Sequence, residues 1–154
     1  WIVAAKPLIQ KLVLIKQAGD LHSSTLNQMV MARVAETAYE ANVARAIALY
    51  RRRRDAMMAA LDTSMPKGVS WTRPEGGLFV WVTLPAGIDG AELLARAVAE
   101  ERVAFVPGKA FFATDAMANT IRLNFSSANE AQITEGVSRL GRLIARMAGE
   151  AAAA

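Results

Sequence analysis

The sequence contains no cysteine and a single histidine, His22. The missing thiols remove disulfide scaffolds, thiolate metal sites and cysteine nucleophiles together. One imidazole argues against most zinc sites and against a Ser-His-Asp triad. Beside Ser23 and Ser24, His22 reads as a satisfied residue at a loop-to-helix junction. No apolar run approaches the roughly 18 residues of a membrane helix, and no basic-then-apolar signal segment opens the chain. A cytoplasmic location without membrane partners is the expectation. Aromatic residues make up 6% of the chain and are not interleaved with basic ones, as a single-strand-binding platform would require. No internal repeat is present.

What is present suits a globular chain. Its 154 residues are 53% hydrophobic and 21% charged, enough apolar material to fold and too little charge for disorder. A chain of this length buries about two-thirds of the surface that its unfolded form exposes. The net charge is +4, and its densest cluster is Arg51 to Arg54. Consecutive helical residues point about 100° apart, so the four arginines form no single phosphate-tracking stripe. They read as a solvated stretch of a long helix, with Asp55 four residues from Arg51 for a surface pair. Nucleic acid is not an expected partner. The seven methionines scatter over helix faces as core filler.

Residues 1–5 read as a short buried strand, and Pro7 suits the first turn of a helix that Gly19-Asp20 stop. Leu8, Ile9, Leu12 and Val13 would face inward. Thr25 and Gln28 have capping-box spacing for a second helix carrying Leu26, Met29, Val30 and Val34 inward. A long helix follows from Ala41 to Met65, with Val43, Ile47, Tyr50, Arg54, Met57 and Leu61 on its inner stripe. Pro66-Lys67-Gly68 ends it.

The second half changes character. Val69-Ser70-Trp71 is strand-like, and Leu78 to Val82 is an apolar strand expected to be buried on both faces. Asp89 caps a helix with Leu93, Leu94, Ala97 and Val98 inward, and Val103 to Val106 is the next strand. Ile121, Leu123 and Phe125 alternate with Arg122 and Asn124, the period of a strand with two unlike faces. Asn129 with Gln132 opens a last helix whose stripe is Ile133, Val137, Leu140, Ile144 and Met147, with Arg139, Arg142 and Arg146 on its polar side. Glu150 to Ala154 read as a frayed tail. The order β-loop-β-α-β-β-α predicts a small α+β domain, one mixed sheet covered by helices on one face.

The chemistry concentrates on Arg122. An arginine between two apolar strand residues projects its fork of donors from the other face, where it suits a carboxylate or phosphate held at two points. A solvated arginine, or one paired with an acidic side chain, fits the same pattern. Asn124 shares that face. Pro74-Glu75-Gly76-Gly77 would let backbone approach a ligand, or be an ordinary turn. Pro107-Gly108-Lys109 is not a Walker loop, because Val103 stands where a glycine is needed and Ala110 where Ser or Thr is needed.

Taken in order, these segments resemble a known family. A helix leads to Gln17-Ala18-Gly19-Asp20-Leu21-His22, and a long arginine-rich helix follows. Then come Pro74-Glu75-Gly76-Gly77-Leu78-Phe79-Val80-Trp81, Val103 to Gly108, Ile121-Arg122-Leu123-Asn124-Phe125-Ser126 and the Glu135 to Leu140 helix. Over about residues 1–147 this is similar to the C-terminal portion of fold-type-I, pyridoxal-phosphate-dependent aminotransferases. The likeness is greatest to the class I/II branch of 2-aminoadipate and kynurenine aminotransferases, and to the aminotransferase-like half of MocR/GntR regulators.

The resemblance implies that Arg122 clamps the α-carboxylate of amino-acid and 2-oxo-acid substrates, and Asn124, on the same strand face, would add a polar contact to the substrate. Gly76-Gly77 and Pro107-Gly108 would shape the mouth of the site. It implies a remnant of the large cofactor domain over 1–40, an interdomain helix over 41–65 and the small domain over 66–150. It also implies pyridoxal 5'-phosphate as cofactor of a homodimeric parent enzyme. The family's Schiff-base lysine sits about ten residues before the strand that opens here at Trp1. None of Lys6, Lys11, Lys16, Lys67 or Lys109 matches its setting. The chain is therefore expected to be a fragment that binds no cofactor and transaminates nothing alone. Its unpacked apolar helix faces would drive self-association. An effector domain of a MocR-type regulator and a non-catalytic small α+β binding module are the alternatives.

Overall fold

The computed structural model describes residues 1–114 and 116–153, with side chains through residue 151. The chain divides into two compact units, Trp1–Arg45 and Ala46–Ala154.

The first unit holds α1 (Lys6–Gly19), α2 (Thr25–Thr37) and the start of α3 (Tyr39–Ser64). Pro7 lies in the first turn of α1 as expected, and Asp20 closes the helix, donating its N–H to the Lys16 carbonyl. The α2 cap falls one residue earlier than the spacing suggested. Ser24 has left helical geometry and its side chain accepts from the Asn27 N–H, while the Gln28 amide donates to the Ser23 carbonyl at 2.7 Å. Residues 1–5 form no strand, because a strand needs a partner and none of the described residues pairs with them. Leu8, Val13, Leu26, Met29, Val30 and Val34, expected inward, are exposed. Helix segments without an opposing layer cannot enclose such a stripe.

The second unit is an α+β layer. Its sheet runs β1-β2-β4-β3, with β1 at Ser70–Trp71, β2 at Phe79–Thr83, β3 at Val106–Pro107 and β4 at Thr120–Asn124. All three ladders are antiparallel rather than mixed. The crossover from β2 through α4 (Gly90–Arg96) brings β3 back in the same direction as β2, but β4 inserts between the two. Each neighbour is thereby opposed.

Helix α5 (Glu130–Ala153) and the later part of α3 supply the covering layer. Val80, Val82, Ile121 and Leu123 of the sheet, with Phe125 just beyond β4, form one core with Met57, Leu61, Leu93, Ile133, Val137, Leu140, Leu143, Ile144 and Met147. The α5 stripe is as its spacing predicts. So are the caps: Asp89 accepts from the Ala91 and Glu92 N–H groups. Asn129 and Gln132 exchange reciprocal bonds of 3.0 and 2.9 Å.

Several expectations are corrected. β2 is not buried on both faces, since Val80 and Val82 are enclosed while Phe79 is 40% exposed. Helices cover one side only, which suits an antiparallel sheet. Val98 is exposed because α4 passes into a π turn at Ala97–Glu101, whose wider winding swings it away from the core phase. The same turn captures the Val103 N–H on the Ala97 carbonyl, which shortens β3 to Val106–Pro107. Ile47 of α3 is also exposed. Helix α5 continues through Ala153, where a frayed tail was expected, and Arg96 grips Glu150 at 2.7 Å. Asp55 pairs with the adjacent Arg54, not with Arg51.

Candidate functional site

The helix-free face of the sheet gathers the second unit's unusual chemistry. β4 is a central strand, and its register sets Arg122 opposite Trp81 on β2 and Val106 on β3, with Asn124 opposite Phe79. The period of two that buries Ile121 and Leu123 sends Arg122 the other way. The guanidinium carbon lies 4.0 Å from the Phe79 ring centroid and 4.4 Å from that of Phe111. Phe111 belongs to a 3-10 turn, Gly108–Phe111, that follows β3. Trp81 meets Phe111 and Phe112 edge-on at centroid distances of 5.8 and 5.9 Å.

Two aromatic rings thus lie within cation–π distance of the guanidinium, a favourable arrangement for a cation. One of its donors, Nε, is buried and has no hydrogen-bond partner among the described residues. A buried donor without a partner is costly unless something arrives to accept from it. A carboxylate, which matches the guanidinium fork in plane, is such an acceptor.

The backbone around this group is closely packed. A Cβ at Gly108 would fall 2.8 Å from Trp81 Cζ2 and also strike Thr120, so only glycine fits between the turn and the two strands. Gly77, just before β2, has φ +79, a left-handed conformation that glycine adopts without strain.

The side-chain oxygen of Asn124 is engaged within the chain. Exposed at the end of β4, its Oδ1 accepts from the Ser126 N–H at 2.7 Å, the Ser126 hydroxyl at 2.9 Å and the Ser127 hydroxyl at 3.1 Å. It locks the turn that leads from β4 toward α5. On the other side of that turn stands a residue that the sequence reading passed over. Arg53 of α3 is half-buried and donates to the Ser126 carbonyl. Four identical residues in a row hide which one points inward, but Arg53 lies four residues before Met57 and eight before Leu61, both buried. That spacing is the signal.

Other clusters are structural. Arg96 and Arg146 bracket Glu100 at 2.8 and 2.9 Å, and Arg146 also reaches Glu101. Hydrogen bonds first from Arg96 and then from Arg146 hold the Glu100 carboxyl below the usual carboxylate range. Arg139 does the same for Glu135 and Arg96 for Glu150. An open cleft beside the first half of α5 is lined by Arg102, Ser127, Gln132, Glu135 and Arg139, but Arg139 and Glu135 already satisfy one another at 2.7 Å. Among the described residues no group of three or more His, Cys, Asp or Glu could hold a metal ion. The His22 ring lies 2.8 Å from the Ser23 carbonyl, exposed, and Lys16 pairs with Asp20. No helix among the described residues is long and apolar enough to cross a membrane.

Comparison with known proteins places this geometry in context. The family profile described as aminotransferase class I and II matches residues 1–140. Aromatic-amino-acid aminotransferase 1 of Thermococcus litoralis is 47% identical over 145 residues, covering 94% of this chain and 34% of that protein. The 2-aminoadipate transaminase of Thermus thermophilus is 44% identical over 144 residues, covering 94% and 36%. Among solved structures, the Thermus thermophilus alpha-aminoadipate aminotransferase, complexed with N-(5'-phosphopyridoxyl)-L-leucine, superposes with a TM-score of 0.85 at 42% identity. That match covers 96% of this chain and 38% of the other. An HTH-type transcriptional regulator of Bacillus subtilis is 29% identical over 149 residues, covering 96% of this chain and 30% of that protein. The chain spans about a third of the length of each of these relatives.

Proposed function

This chain belongs to the class I and II aminotransferase family, and on that premise we propose that its sheet face anchors the substrate carboxylate of an aminotransferase. The enzyme would move an amino group between an amino acid and a 2-oxo acid. The observation that carries the reading is Arg122, held against the rings of Phe79 and Phe111 and left with a buried Nε that has no partner among the described residues. Substrate and product of such a transfer both present an α-carboxylate, and an in-plane fork of donors holds it at two points. Asn124 supports the clamp by closing the turn beyond β4 rather than by offering its oxygen.

Pyridoxal 5'-phosphate would supply the electron sink and the carrier of the amino group. The sheet face itself does not fit that cofactor. A phosphate and a Schiff-base nitrogen call for several donors and a lysine, whereas this face gathers one guanidinium and four aromatic rings. No step through the cofactor is assigned to these residues, and the chain by itself is proposed to be inactive in transamination. A homo-oligomeric assembly is part of the same reading. It is supported by the exposed Leu8, Leu14, Ile15, Leu26 and Met29 of the first unit, which a second layer would cover. Sedimentation of the chain as a clean monomer across micromolar concentrations would count against self-association.

The test of the clamp is binding of an unreactive carboxylate, 3-phenylpropionate, to the chain, followed by NMR titration. Charge-assisted hydrogen bonds contribute about 1.5–3 kcal/mol, so Arg122→Ala is expected to weaken binding roughly 10- to 100-fold. Arg122→Lys keeps the charge but loses the fork, and is expected to fall between. Equal affinity in all three proteins would refute the reading. The similarity to the Bacillus regulator favours a second reading, an effector domain that senses an amino acid with the same clamp. A winged-helix segment encoded upstream would select it.

A further inference from the structure

The four-arginine run of α3 has one member whose surroundings differ from the rest. Arg51 is exposed, Arg52 makes an open ion pair with Glu130 at 3.2 Å, and Arg54 is satisfied by its neighbour Asp55 at 2.6 Å. Arg53 alone reaches a backbone group across the fold, the Ser126 carbonyl, and its Nε is buried without a partner among the described residues. Among the described residues no carboxylate pairs directly with it to offset the desolvated guanidinium. An aliphatic side chain at this position would avoid that desolvation. What it could not do is fix the direction of the Ser126 carbonyl.

That carbonyl belongs to a residue whose other polar groups are already committed. The Ser126 N–H and hydroxyl both donate to Asn124 Oδ1. Asn124 is the last residue of β4, two positions from Arg122 and on the same face. A continuous series of contacts therefore runs from the α3 guanidinium through the Ser126 peptide and the Asn124 side chain to the strand that carries the clamp. Glu130, the first residue of α5, is held to α3 by Arg52. Two adjacent arginines thus fasten the two ends of the β4–α5 connection, and Arg53 holds the end nearest the clamp.

We propose that Arg53 is a positioning residue for carboxylate recognition: its guanidinium holds the Ser126 carbonyl, and through Asn124 sets the end of β4 on which Arg122 is aimed. The inference rests on the clamp reading of Arg122. A side chain held within a few tenths of an ångström of its productive geometry loses affinity when the residues behind it relax. The effect should appear in carboxylate affinity and be shared with Asn124, since both act on one turn.

The same NMR titration with 3-phenylpropionate tests this on the chain itself, with a thermal melt of every variant. Arg53→Ala is expected to weaken binding about fivefold to tenfold. Arg53→Lys, which can still donate one bond to the carbonyl, should recover part of the loss. Arg52→Ala, which breaks the neighbouring ion pair, should leave the affinity unchanged. The double variant Arg53→Ala with Asn124→Ala should bind no worse than the weaker of the two single variants. If Arg53→Ala lowers the melting temperature while the affinity stays at the wild-type value, the residue is a packing element and the proposal is overturned. If Arg53→Ala does not fold, Arg53→Met, which keeps the aliphatic stem but donates no bond, overturns it equally by binding as tightly as wild type. Loss of affinity in Arg52→Ala as large as in Arg53→Ala would overturn it too. No binding change on Arg122→Ala would instead remove the clamp on which it rests, a failure distinguishable from the others.

Discussion

Two glycines of one helix are expected to respond to the same substitution with opposite sign. Gly136 and Gly141 both lie inside α5. Helix propensity alone favours alanine over glycine at either by about 0.8–1 kcal/mol. At Gly136 an added Cβ meets nothing within 4 Å, so the propensity gain should be realised in full. At Gly141 the Cβ would run into the backbone of Ser64, the last residue of α3, with its carbonyl oxygen and its carbonyl carbon at 3.0 Å or less. Backbone cannot rotate aside as a side-chain tip can. The two helices must then separate, and overpacking of this kind costs about 1–3 kcal/mol. Gly136→Ala should therefore stabilise by up to about 1 kcal/mol, while Gly141→Ala destabilises by up to about 2 after the propensity gain is subtracted. With a urea slope of about 1–2 kcal/mol per molar, the two midpoints should differ by the overpacking cost alone, roughly 0.5–3 M. Tryptophan fluorescence is a suitable signal, because the half-buried Trp71 and Trp81 report on the sheet and the fully exposed Trp1 changes little. Equal stabilisation by both substitutions would refute the close approach of α5 to the end of α3, and with it this account of the core.

Three further outcomes follow from the same structure. Loss of the reciprocal Asn129–Gln132 cap in Asn129→Ala should lower stability by about 1 kcal/mol, read from the urea midpoint. Glu100, Glu135 and Glu150 titrate below their ordinary range because arginines hold them. Their contribution is therefore complete above the unfolded carboxylate value of about 4.3 and is lost as pH falls through the lower folded values. Urea midpoints measured from pH 6 to pH 2 should drop across that window, and Arg96→Met, which removes a partner of both Glu100 and Glu150, should flatten the drop. Finally, Phe79→Leu should weaken 3-phenylpropionate binding a few-fold, since a cation–π contact of this kind contributes about 0.5–2 kcal/mol. Unchanged affinity would show that the ring does not steady Arg122.

Much of the second unit was legible in residue order because its local signals agree with one another. The alternation around Arg122, the Asn129–Gln132 box, the Asp89 cap and the α5 stripe each obey a short-range rule, and each is found where that rule puts it. The stripe rule failed in the first unit for a physical reason. Periodicity tells which face of a helix is apolar, but not whether anything lies against it, and Leu26 and Met29 remain exposed. Direction within the sheet was also beyond local rules, since no residue of β2 or β3 records that β4 inserts between them.

The division is clearest at the arginines. Local order alone placed Arg122 on a strand face opposite the core, because a strand alternates and its neighbours are apolar. The rings of Phe79 and Phe111 that pack against it come from segments 43 and 11 residues away and are brought together only by the fold, which also leaves its Nε buried without a partner among the described residues. Arg53 shows the converse. Its identity is indistinguishable from that of three neighbours along the chain, and packing of α3 on the β4–α5 turn singles it out. Short-range chemistry specifies what a side chain can do; long-range packing specifies which one is placed to do it.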